Sequence, residues 1–218
     1  ELAYLEIGRA PYVEIRRLAQ RIPVETLEAM LVEPRYLEWR SLAILMLGES
    51  SRPVDQNRVR ATLARKARLR SRLNLAAWAT ALVAVDGIEG IRSLTALYLS
   101  SPARHREEVE AVAQALSVHA AADPALREPV VEAYRLILET YPIMAPNLVH
   151  DLIAWQRWDF AKRVEQVRAN LDADPLAAYA LGLYLRLAQG EQAFGISPIA
   201  SGAHAPKASD PPAEEEAR

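Results

Sequence analysis

Residues 33–48 read EPRYLEWRSLAILMLG, and the fold class turns on this stretch. A helix loses nothing by opening on proline, because its first N–H groups have no intrahelical acceptor. Behind Pro34 come Leu37, Leu42, Ala43, Leu45, Met46 and Leu47, interrupted by Glu38, Arg40 and Ser41. That spacing predicts one complete helix with a wide buried face. Gly48 stands where a left-handed C-cap residue belongs. Ala43, small and mid-helix, leaves room for a neighbouring helix to come close.

Working outward, the same signals recur. Apolar spacing predicts amphipathic helices over residues 10–21 and 23–32, then one from Pro53 to about Arg70 with a partner over 74–86. Gly87 and Gly90 mark a break before a helix over 88–100. Ser101-Pro102, Asp123-Pro124 and Asp174-Pro175 each read as an N-cap followed by a first-turn proline, and Asp159 as a further cap. Pro129 follows Pro124 closely enough to delay or kink the helix there. The apolar run 73–85 is too short to span a bilayer and reads as a buried helix. No alternating run of β-branched residues signals a strand.

The helices echo one another. Trp39, Leu75, Val109, Ala145 and Tyr179 recur about 35 residues apart, the period of a two-helix repeat. Four residues on stand Ala43, Ala79, Ala113, Val149 and Leu183; four further stand Leu47, Val83, Ser117, Ile153 and Leu187. Only Ser117 breaks the apolar rule. Glu33-Pro34, Trp39-Arg40, Ala43 and Leu47-Gly48 together resemble the second helix of a HEAT-type repeat. The resemblance implies an all-α, right-handed superhelix of about five antiparallel helix pairs, in a family made mostly of binding scaffolds. Residues 172–191 are similar instead to a tetratricopeptide helix, through Ala178, Leu181-Gly182 and Tyr184, but no second copy stands a repeat earlier. An irregular helical bundle is the alternative to either. The domain is expected over 1–190. Residues 191–218, rich in Pro and Ala and ending near Glu214-Glu215-Glu216, have too little apolar surface to order themselves.

Composition removes several function classes. With no Cys among 218 residues, disulfides, thiol catalysis and cysteine-held metals are excluded. A net charge of −2 argues against a global nucleic-acid binder. The chain begins at Glu1; that and the absent Cys lean toward an exported bacterial protein, with an intracellular one left open. His105, His119, His150 and His204 show no metal-ligand spacing and read as surface or helix-end residues. The deoxyhypusine hydroxylases resemble this expected fold but depend on His-Glu pairs holding iron, and none exists here. No nucleophile elbow, phosphate-binding glycine loop or H-E-x-x-H occurs. The sequence therefore offers no catalytic residue, no metal site and no cofactor, with an enzyme whose site assembles from distant residues left open.

The strongest local feature is basic. Residues 52–72 hold seven arginines and Lys66 against Asp55 alone. On a helix Arg58, Arg65, Arg68 and Arg72 fall within about 80° of one another, with Val59, Leu63 and Ala67 turned to the core. Such a stripe is either a solvated face paired with neighbouring acids or a site for an acidic protein, a phosphate backbone or anionic lipid. Certain DNA glycosylases are similar helical stacks with basic faces. Trp155 and Trp158, at i and i+3, are expected to share one face, either in the core or as an exposed aromatic platform. The reading these features favour is a non-catalytic scaffold binding a protein or peptide along its groove. The alternative is nucleic-acid binding through the stripe, and the partner-binding candidates are Arg58, Arg65, Arg68, Arg72, Trp155 and Trp158.

Overall fold

The computed structural model describes residue 19 and residues 21–170 and 174–194. The expected first helix and most of the terminal segment lie outside the described residues. The described residues are all-helical, with no strand among them. Ten α-helices follow in order: α1 Val24–Val32, α2 Arg40–Gly48, α3 Pro53–Leu69, α4 Leu75–Asp86, α5 Ile88–Leu94, α6 Arg106–Ala122, α7 Arg127–Thr140, α8 Ala145–Ala154, α9 Ala161–Asn170 and α10 Pro175–Phe194.

The stretch 33–48 is not one helix. Pro34–Trp39 forms a 3-10 turn with non-helical angles at Tyr36, and α2 begins only at Arg40. Nor is Gly48 a left-handed cap. It ends α2, and the cap residue is Glu49 with φ −89°. Its glycine is needed for another reason: a Cβ there would stand 2.7 Å from Ala81 Cα of α4.

The centre of the molecule is α4. Eight of its twelve residues are buried, and α2, α3, α5 and α6 all pack on it. A helix buried on nearly every side needs small residues where neighbours cross. Ala77, Ala79 and Ala81 supply them, and Gly90 of α5 lies so close that a Cβ would meet Leu82 O at 2.7 Å. Asn74 and Gly87, both at positive φ, turn the chain in and out of α4. The core runs unbroken from Ile44 to Leu185, with a smaller cluster of Leu27, Met30, Ala43 and Met46 under α1.

The start signals fare differently. Asp123 caps as expected, its Oδ1 accepting from Ala125 N at 2.9 Å, and α7 begins late, at Arg127 beyond a 3-10 turn. Asp174 Oδ1 accepts from Leu176 N and Ala177 N. Ser101-Pro102 does not open α6, which starts at Arg106 with the Glu108 carboxylate accepting from His105 N at 3.0 Å. Asp159 is no cap either; it pairs with Arg157 and Arg135. The last helix runs past Gly190 to Phe194.

Burial follows the 35-residue register through four copies, with Trp39, Ser117 and Ile153 only half-buried. Leu75, Ala79 and Val83 are buried, as are Val109, Ala113, Ala145 and Val149. The fifth copy slips. Tyr179 and Leu187 are exposed, and α10 buries Leu181, Tyr184, Leu185 and Ala188 instead.

Candidate functional site

Every second helix belongs to one contiguous series, in which α2 packs on α4, α4 on α6, and α8 on α10. The series is interrupted once. Between α6 and α8 lies a cleft of about 380 Å3. From α6 it receives Glu110, Gln114, Ser117 and Val118, one helix face at spacings of four, three and one. From α8 come Asn147, Leu148, His150 and Asp151, and the floor is Tyr134 of α7 with Met144.

The floor is a fixed polar pair. Tyr134 is fully buried, and its hydroxyl donates to Asp151 Oδ2 at 2.6 Å. Burial first, and the Asp151 carboxylate second, hold the phenol well above its ordinary value, while a hydrogen bond from Ser117 works the other way. A phenol so raised stays protonated and remains a donor. In the floor the phenol is the donor and Asp151 the acceptor. Trp155 stacks on the Tyr134 ring with centroids 5.7 Å apart. At the rim Asn147 Nδ2 donates to Glu110 Oε1 at 3.3 Å. Neither Glu110 nor Asp151 forms an ion pair with a described residue, whereas Asp55, Asp86, Glu108 and Asp159 each face an arginine.

The basic segment is divided. Arg52 holds Asp55, Arg60 holds Asp86 at 2.6 Å, and Arg70 donates to Ala103 O. Lys66 donates to Leu73 O past the end of α3, with its pKa lowered by burial first and by Arg65 second. Arg72 leaves the expected stripe altogether: α3 stops at Leu69, Arg70 turns left-handed at φ 51°, and Arg72 meets Glu107 at 3.3 Å. Arg58, Arg65 and Arg68 remain on α3 without an ion pair to any described residue, Arg65 and Arg68 exposed and Arg58 half-buried.

The two tryptophans do not share a face. α8 ends at Ala154, and Gln156 at φ 56° redirects the chain. Trp155 therefore goes to Tyr134 of α7, and Trp158 to Tyr184 of α10 at 5.5 Å. Both are half-buried and make no exposed platform. Among the histidines, His105 and His150 are exposed, and His204 lies outside the described residues. His119 departs from expectation. It is buried in the last turn of α6, its Nε2 2.8 Å from Thr80 O of α4. A carbonyl can only accept, so Nε2 carries the proton.

Sequence reading missed the cleft, but one trace of it was visible. Ser117, the only polar residue in the apolar register, is polar because it faces the gap beside the Tyr134 hydroxyl. Among the described residues no group of His, Asp and Glu is placed to hold a metal, and no helix is long and apolar enough to cross a membrane. The chain matches no family model, no curated protein and no solved structure.

Proposed function

We propose that this chain is a non-catalytic interaction scaffold, a HEAT-like right-handed stack of helix pairs that seats a segment of a protein partner in the cleft between α6 and α8. The observation that carries this reading is the single interruption in the α2–α4–α6–α8–α10 series. Here α6 and α8 part around a donor–acceptor pair whose phenol is buried. A stack of helix pairs exposes its second helices as one continuous surface, and a break in that surface with a polar floor suits a peptide, whose backbone needs both donors and acceptors. The raised phenol, held as a donor to Asp151, favours recognition over turnover.

Gln114→Trp and Asn147→Trp test the reading. Both side chains are exposed, so either indole would fill the cleft and leave the core untouched. Affinity capture from cells with the intact chain should recover one defined protein that both variants lose. Recovery undiminished in both variants would move the partner site elsewhere.

A further inference from the structure

We propose that the outer face of α3 docks on anionic lipid headgroups at a membrane surface. Val54, Arg58, Ala61, Arg65, Arg68 and Leu69 follow one another at helical spacing along the side of α3 opposite its buried Val59, Leu63 and Ala67. Arg58, Arg65 and Arg68 form no ion pair with a described residue, Arg58 acting on Asp55 only through its charge, although every other arginine from 52 to 72 is taken by a carboxylate or a carbonyl. Ala61 keeps the middle of the face low. The arginines are flanked by bare apolar side chains: Val54 is 66% exposed, Leu69 65%, and Leu73, just past the helix, 65%.

Charge complementarity calls for an anionic occupant, and the apolar flanks decide its class. Against a nucleic-acid backbone, Val54, Leu69 and Leu73 would meet charged phosphates and gain nothing, and the face offers no aromatic ring on which a base could stack. Against a lipid surface the same side chains reach the acyl boundary while the guanidinium groups stay at the headgroups, the division of labour of interfacial helices. The contact is peripheral.

Sedimentation with phosphatidylcholine vesicles containing phosphatidylserine, beside pure phosphatidylcholine vesicles, tests this. The intact chain should bind only the anionic vesicles and release as salt rises. Each arginine contributes about a five-fold change in affinity near an anionic surface, so R58Q/R65Q/R68Q should weaken binding roughly a hundred-fold. L69S/L73S should weaken it several-fold without altering the salt dependence, and R92Q, whose arginine pairs with Glu89 on α5, should change nothing. Unchanged helical circular dichroism in each variant keeps the comparison one of surfaces. Binding to both vesicles alike, to neither, or without effect of L69S/L73S would overturn the proposal. So would triple-variant loss confined to a duplex DNA or RNA probe.

Discussion

Two glycines mark where α4 is approached most closely. At Gly48 and Gly90 a Cβ would meet main-chain atoms of α4 at 2.7 Å, and main chain cannot rotate away. Gly48→Ala and Gly90→Ala should each cost about 1–3 kcal/mol in urea unfolding, the range for forcing an extra methyl into a packed core. Gly87→Ala meets no atom, but at φ 56° and ψ −126° the backbone lies outside the left-handed helical region, and the Cβ should cost about 1–3 kcal/mol through strain alone. Gly48 also shows why sequence misled: a glycine ending an apolar run reads as a cap, and a contact with Ala81, far along the chain, leaves no local mark. Asp55 carries a pH dependence. Burial pushes its carboxyl up, but hydrogen bonds from Arg52 and Ser50 outweigh that and hold it below its ordinary value of 3.8. A group depressed in the folded state stabilises fully above its unfolded pKa and loses that contribution as pH falls through the folded one. Unfolding followed from neutral pH into acid should show Asp55→Asn already less stable near pH 7 and the gap closing below about pH 4.

At the scale of the element, the start of α6 and the end of α8 set much of the architecture. Glu108 is wholly buried, with Arg104 at 3.2 Å on one oxygen and His105 N at 3.0 Å on the other. Arg104 also reaches back to Ala67 O at the end of α3, at 2.7 Å. Breaking a buried pair strands its partner, so Glu108→Ala should cost about 3–5 kcal/mol. Glu108→Gln, which keeps an acceptor for the His105 N–H, should cost less, as denaturant midpoints would show. The sequence placed this helix four residues early because Ser101-Pro102 carries the commoner start signal, while the true capping residue is a histidine with its glutamate three residues on. At the end of α8 nothing in Gln156 announces a left-handed residue, and one residue at φ 56° sends the two tryptophans to different helices. Gln156→Gly should be neutral or slightly stabilising in the same assay, because glycine adopts that angle freely.

Across the whole molecule, the all-helical character of the described residues was legible, because it follows from residue pattern alone. The slipped fifth copy and the cleft were not, because they depend on how far apart whole helices settle. Ser117 was the sole trace of the gap. Centring on α4 has a consequence for dynamics: amides of α4, buried on nearly every side, should exchange slowest with solvent. Those of α1, bordered by exposed Val32 and Leu37 and resting on the smaller cluster, should exchange through local opening well below the global unfolding energy. Equal protection of α1 and α4 would contradict this hierarchy.

The central claim is that the cleft between α6 and α8 receives a partner. Site-specific photo-crosslinking in cells, with a benzophenone amino acid at Gln114 or Asn147 and, for comparison, at exposed Glu165 of α9, tests it most directly. The account predicts the same single protein attached at both cleft positions and absent from position 165. Attachment at position 165 alone, or no specific product at either cleft position, would contradict it.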